Sequence, residues 1–186
     1  MRRVAIYGGS FNPPHVGHVL AVAYVLATED VDEVLVVPCF LHPFAKELAP
    51  FEDRFRMCEL AMGWLPGATI SRVEAELGGE SRTLRTLEHL SSVHPDWRMR
   101  LLIGSDILAD VPKWHGFERV AELAPPLVVG RAGVTHPASP PSVLPEVSST
   151  EIRALFASAS WDEARSIVPR KVLAYVREKR LYGAAS

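Results

Sequence analysis

Residues 4–18 read VAIYGGSFNPPHVGH, and the fold turns on how that stretch divides. Val4-Ala5-Ile6-Tyr7 is a short apolar run of the kind that forms a buried strand, while residues 16–27 carry apolar residues all round at helical length. Between them lie Gly8, Gly9, Pro13 and Pro14. In an open parallel sheet such a strand-to-helix turn lies beyond the strand's carboxyl end, where ligands bind. Gly8 and Gly9, lacking Cβ atoms, are expected to take unusual dihedrals and to let a ligand come close. Pro13 and Pro14 stiffen the turn, and Pro14 suits a first helical turn, where a missing N–H costs little. His15 and His18 fall at i and i+3 on one face, beside free N–H groups and a positive dipole end that attract anions.

Outward from this stretch, residues 34–37, 68–73, 99–103 and 127–129 repeat the strand pattern: short, rich in Val, Ile and Leu, and bounded by Gly or Pro. Helical spacing appears in residues 51–65, through Phe51, Phe55, Cys58, Leu60 and Met62. It appears again in residues 81–93, through Leu84, Leu87 and Leu90, with Ser81 and Thr83 as cap oxygens. This alternation predicts an α/β fold, a Rossmann-like doubly wound parallel sheet with right-handed crossovers. Residues 133–145, GVTHPASPPSVLP, read as a loop. Three helical segments follow, at residues 151–156, 161–167 and 171–180. They are too short for a second core, so residues 1–186 are expected to form one domain, with a small helical end over about residues 148–186 packed back on the sheet.

With 48% hydrophobic and 23% charged residues, the chain can bury a core. Its net charge of −2 argues against coating a nucleic acid, although it leaves room for a local cluster of cations around one anion. Cys39 and Cys58 form no C-x-x-C pair and read as reduced thiols. No signal-type apolar region follows Met1-Arg2-Arg3-Val4, and no apolar run reaches the roughly 18 residues of a membrane span. The expected compartment is the cytoplasm, with no membrane or nucleic-acid partner.

The residues of the opening stretch leave alternatives. A histidine at a helix start is often structural. H-x-x-H resembles a metal pair but lacks the glutamate of H-E-x-x-H and a nearby third ligand, and the glycines match neither G-x-G-x-x-G nor the P-loop pattern. Taken alone, the spacing points to an anion, a phosphate.

The stretch resembles the G-x-F-x-P-x-H-x-G-H signature of the nucleotidylyltransferase superfamily through Gly9, Phe11, Pro13, His15, Gly17 and His18. A second signature, S-S-T-x-x-R, appears as Ser148-Ser149-Thr150-Glu151-Ile152-Arg153; for the serines and threonine alone, plain helix capping is the simpler account. Within the superfamily the chain is similar to the bacterial nicotinate-nucleotide adenylyltransferases. Leu102-Ile103-Gly104-Ser105-Asp106 resembles their I-I-G-x-D, Pro112-Lys113-Trp114 their P-x-W, Gly130-Arg131 their last-strand arginine, Ser81-Arg82-Thr83 their S-Y-T, and residues 177–182 their terminal helix. Three places depart. P-P-H-K becomes His42-Pro43-Phe44-Ala45-Lys46 with the lysine displaced, P-N becomes Pro38-Cys39, and the tyrosine of S-Y-T becomes Arg82. All three fall on the acceptor side.

The resemblance implies adenylyl transfer from ATP to nicotinate mononucleotide, giving deamido-NAD and pyrophosphate. His18 would meet the α-phosphate and His15 the phosphate chain, while Arg153, Ser149 and Thr150 would hold the β- and γ-phosphates, with Lys46 assisting. Gly8, Gly9, Ser10, Phe11, Gly104 and Asp106 complete the implied ATP side. Asn12, Arg82, Thr83, Asp106, Trp114 and Arg131 make up the acceptor side, with Asp106 on ribose hydroxyls and Trp114 stacked on the pyridine ring. Mg²⁺ would ride on phosphate oxygens and water, with no protein ligands of its own. Nicotinamide mononucleotide as acceptor, a sister transferase such as pantetheine-phosphate adenylyltransferase, and a non-catalytic nucleotide sensor are the rival readings.

Overall fold

A computed structural model describes residues 1–42, 47–111, 114 and 116–183. The predicted Lys46, with Pro43, Phe44, Ala45, Pro112 and Lys113, lies outside the described residues. The elements run β1 (Arg2–Gly9), α1 (Val16–Thr28), β2 (Glu33–Pro38), α2 (Phe51–Met62), β3 (Ala68–Ile70), α3 (Val73–Leu77), α4 (Thr83–Val93) and β4 (Trp97–Gly104). A 3₁₀ turn at Ser105–Ile107 leads to α5 (Phe117–Leu123), β5 (Pro126–Arg131), β6 (Ser142–Leu144), α6 (Ser149–Ala157), α7 (Trp161–Ile167), α8 (Arg170–Lys179) and a last turn at Leu181–Gly183.

The six strands lie in the order β3-β2-β1-β4-β5-β6, all neighbours parallel. The chain winds outward from β1 to β3, then returns through α3 and α4 to place β4 on the free side of β1. The direction of winding therefore reverses between β1 and β4, which opens a crevice at their carboxyl ends. Both faces of the sheet are covered, so the strands read as continuous apolar runs. Ala5, Val34, Val36, Leu102, Leu127 and Val129 pack on the side of α1, α2 and the C-terminal helices. Their neighbours Val4, Ile6, Leu35, Val37, Leu101 and Ile103 pack on the side of α4 and α5. Ile152, Phe156, Val168, Val172 and Val176 are buried in the first of these clusters, so the C-terminal helices do pack back on the sheet. At ~1.5–3 kcal/mol for each large side chain, that face alone anchors them.

Two expectations are corrected and one element is added. The strand expected over residues 68–73 ends at Ile70; the Ser71 hydroxyl accepts the Val73 N–H at 3.2 Å, and Val73 opens α3 instead. Its burial against the second cluster made it read as strand. Residues 133–145 are not all loop, since β6 forms there as a short edge strand on β5 with an irregular register beside Gly130. The Pro140 and Pro141 carbonyls stand where a Gly130 Cβ would be, so only glycine lets this edge close. Helix α5, with Phe117 and Val120 at i and i+3, was not foreseen.

Candidate active site

The turn after β1 departs from expectation in which residue bends. Neither Gly8 nor Gly9 has a positive φ; that conformation falls on Phe11, at φ 45°. Such a backbone is rare for a bulky side chain and costs on the order of 1–3 kcal/mol. The Phe11 ring offsets this cost by packing edge-on to Tyr7 (5.4 Å between centroids) and His18 (4.9 Å). A Cβ on Gly9 would lie 3.0 Å from the Phe11 ring, whereas a Cβ on Gly8 would meet nothing within 4 Å. Gly9 makes room for the ring and Gly8 leaves an open approach.

His15 is the N-cap of α1 and His18 its third residue, so Pro14 precedes the helix rather than opening it. The His15 backbone N–H donates to His18 Nδ1 at 3.0 Å. A neutral imidazole that accepts at Nδ1 carries its proton on Nε2, a donor left for a ligand. The two rings lie 3.8 Å apart, and a Cβ on Gly17 would come within 3.0 Å of the His15 ring. Burial, with a smaller contribution from the Arg131 charge, pushes His15 down to about 4. Burial, His15 and Arg131 hold His18 well below its usual value. Both are therefore neutral donors and acceptors at pH 7.

The second signature reaches back to the first. Ser148, not Ser149 or Thr150, caps α6, its hydroxyl accepting the Glu151 N–H at 3.1 Å. Ser149 instead donates to the Pro13 carbonyl at 2.9 Å. Arg153 donates to the Asn12 carbonyl at 2.9 Å and to the Thr150 hydroxyl at 3.3 Å. Across the β4–β5 edge, Arg131 pairs with Asp106 at 2.9 Å and bonds the Val147 carbonyl, while its backbone N–H donates to Ser105 Oγ. Gly104 lets the Asp106 carboxylate lie where it does, since a Cβ there would push that side chain aside. A shallow hollow of about 470 Å³ lies beside Arg131, lined by Thr135, His136 and Ser139 but by none of His15, His18, Asp106 or Arg153.

The expected acceptor side is less gathered. Asn12 is buried, its amide accepting from the Ala49 N–H at 3.0 Å and donating to the Glu47 carbonyl at 3.4 Å. Ser81 does not cap α4; its hydroxyl accepts the Phe40 N–H at 2.8 Å. Arg82 is the residue before α4, and its exposed guanidinium pairs with Glu80 at 2.9 Å. Thr83 is the first residue of α4. Trp114 meets Phe117 edge-on at 6.3 Å and packs against the second core cluster.

Two residues escaped the sequence reading. Arg54 is only 1% exposed, and it donates to the carbonyls of Ala49 (2.8 Å), Ser10 (3.0 Å) and Phe40 (3.3 Å). Burial lowers its pKa, yet a guanidinium stays charged. Its position in helix α2, three residues after Phe51 and four before Cys58, put it on the apolar face, and that signal was readable. Glu74 accepts the Phe40 N–H at 3.1 Å and the Thr86 hydroxyl at 3.1 Å; nothing in its spacing marked it.

Comparison with known proteins gives the family. A family model described as cytidylyltransferase-like matches residues 6–155. A protein of Anaeromyxobacter dehalogenans (strain 2CP-C) named "Probable nicotinate-nucleotide adenylyltransferase" is 51% identical over 97% of this chain and 97% of its own. One of the same name from Thermus thermophilus is 35% identical over 97% and 99%. Among solved structures, Plasmodium falciparum nicotinic acid mononucleotide adenylyltransferase complexed with NaAD superposes with a TM-score of 0.86 over 100% of this chain and 99% of that one. At 19% identity that likeness speaks for the fold.

Proposed function

This chain belongs to the cytidylyltransferase-like family and, within it, to the nicotinate-nucleotide adenylyltransferases, and from that premise we propose how it joins ATP to nicotinate mononucleotide in NAD biosynthesis. A 5′-phosphate oxygen of the mononucleotide attacks the α-phosphorus of ATP. The new O–P bond forms as the bond to the β-phosphate oxygen breaks, and deamido-NAD and pyrophosphate leave. The attacking group is already an anion, so no protein nucleophile or base is required. The protein's part is to align two polyanions and stabilise charge on the moving phosphate oxygens.

The observation that carries this reading is the pair of neutral imidazoles at the start of α1, with Arg153 of α6 bonded to the Asn12 carbonyl of the turn that leads to them. In it, His18 Nε2–H donates to the α-phosphate as charge develops, and His15 meets the phosphate chain beside Gly8, Gly9, Ser10 and Phe11. Arg153 leaves the Asn12 carbonyl for the β- and γ-phosphates, with Ser149 and Thr150. A divalent cation, Mg²⁺ in this reading, neutralises phosphate charge when bound. In this reading phosphate oxygens and water would be its ligands, and the charge it supplies would add to that of Arg153. Asp106 and Arg131 flank the ribose as a pair, and Trp114 stacks on the pyridine.

Selection of the acid over the amide falls to the start of α4, where free N–H groups and the Thr83 hydroxyl favour a carboxylate. Arg82, paired with Glu80, assists only by leaving that pair. We place the whole chain, as one domain, in the cytoplasm; among the described residues no helix is long and apolar enough to cross a membrane. The test is pyrophosphate release from ATP with nicotinate mononucleotide, nicotinamide mononucleotide and pantetheine phosphate side by side. An amide leaves donors unpaired at roughly 1–3 kcal/mol each, so kcat/KM should favour the acid by about tenfold or more. A ratio near one, or one favouring another acceptor, overturns the assignment.

A further inference from the structure

Arg54 is a cation with almost no exposure, and among the described residues no carboxylate forms an ion pair with it. Its guanidinium is divided among three main-chain carbonyls from three segments. Ser10 belongs to the turn after β1, Phe40 follows β2, and Ala49 precedes α2. Nε takes Ala49, one terminal nitrogen takes Ser10 and the other takes Phe40. Both ends of the segment from Phe40 to Ala49 are thus fixed to one planar group, and that group is fixed to the glycine turn. Other bonds join these segments in pairs: the Cys39 N–H donates to the Gly9 carbonyl at 2.8 Å, and Asn12 bonds Ala49. Among the described residues, Arg54 alone joins all three. Phe40 is also held through its N–H, in the preceding peptide group, which donates to Ser81 and Glu74.

We propose that Arg54 is a positioning residue for adenylyl transfer, setting the acceptor side of the crevice against the phosphate turn; this rests on the reaction proposed above. Each half of the site has its own contacts to its substrate, so loosening the clamp leaves each substrate bound. What changes is the alignment of attacking oxygen and α-phosphorus, and a misplacement on the order of 1 Å costs about 10²-fold in rate. An ammonium does not substitute, because it offers a compact point charge in place of a rigid fork of five donors.

The experiment measures kcat, both KM values and thermal unfolding for wild type, Arg54→Lys, Arg54→Met and Arg54→Ala, below the melting temperature of each variant, with guanidinium added back to Arg54→Ala. The expected result is a kcat lower by about 10²-fold in Arg54→Met and by at least about tenfold in Arg54→Lys, with either KM moving by less than about threefold. Guanidinium should restore much of the rate in Arg54→Ala. A folded Arg54→Lys with wild-type kcat overturns the proposal. So does a loss that follows the unfolded fraction and is not rescued by guanidinium. If Arg54→Met does not fold, the lysine variant and the add-back decide alone. A wild type that releases no pyrophosphate sinks the adenylyl-transfer reading instead, so the two failures are separable.

Discussion

Arginines crowd both ends of the sheet, and their partners differ. Toward the amino ends of the strands, Arg2 pairs with Glu33 at 2.9 Å, Arg3 with Asp30 and Asp32, and Arg100 with Glu29 at 3.7 Å. Toward the carboxyl ends, Arg54 and Arg153 are held by backbone carbonyls and one hydroxyl, and Arg131 divides between Asp106 and the Val147 carbonyl. A carboxylate cancels the cation it meets, so the first group supports structure. A carbonyl dipole fixes a cation without neutralising it, so Arg153 keeps the charge that the proposed reaction needs for an incoming polyanion, while buried Arg54 keeps its own for the clamp. Arg131 already depresses both histidines from where it stands. The partner, not the residue type, divides the work.

The largest test of that division lies at the carboxyl ends. His18→Ala should lower kcat by about 10²–10³-fold, the usual worth of a donor aimed at transition-state charge. It should also lower Tm, because His18 accepts the His15 N–H and supports the Phe11 ring, so the assay belongs below that Tm. Near wild-type turnover would remove His18 from the chemistry. Arg153→Lys keeps the charge but loses the fork, and kcat/KM for ATP should fall by about tenfold, the worth of one charge-assisted bond. No change would make the second signature a structural latch alone.

Acid should sharpen the comparison through stability. His15 is neutral when folded down to about pH 4, whereas the unfolded chain binds that proton near pH 6.5. Between those values the unfolded state holds more protons, so stability rises with pH there and levels off above about 6.5. Thermal melts across pH 4–8 check this, and His15→Asn should flatten the rise. The smallest effects belong to exposed pairs. Arg3→Ala should leave kcat unchanged and move Tm only slightly, and Arg82→Ala should leave the acid-over-amide ratio within about twofold. A large change in that ratio would show that Arg82 abandons Glu80 for the substrate.

The fold was legible because burial on both faces leaves a strong mark: apolar runs separated by helical spacing. That mark misled where burial and conformation part. Val73 is buried but helical, and β6 is strand but sits among prolines at an edge. Within the site, the spacing of His15 and His18 pointed only to an anion, and Arg153 was named through the resemblance to a signature. Their setting was not legible, since φ 45° at Phe11 and the bond from Ser149 to Pro13 depend on packing between distant segments. Arg54 was marked by its place on the apolar face of α2, but its carbonyl partners at Ser10, Phe40 and Ala49 come together only in the fold.

The bonds from α6 to the first turn also order events in time. Ser149 and Arg153 close contacts across 136 and 141 residues, so α6 leaves the ribosome well after the first turn. Closing so long a stretch is slow relative to local helix formation. A growing chain therefore carries its glycine turn without Arg153 until 141 further residues have been made. The phosphate grip proposed for this turn is complete only once α6 has docked, and in refolding it should trail the recovery of helical signal.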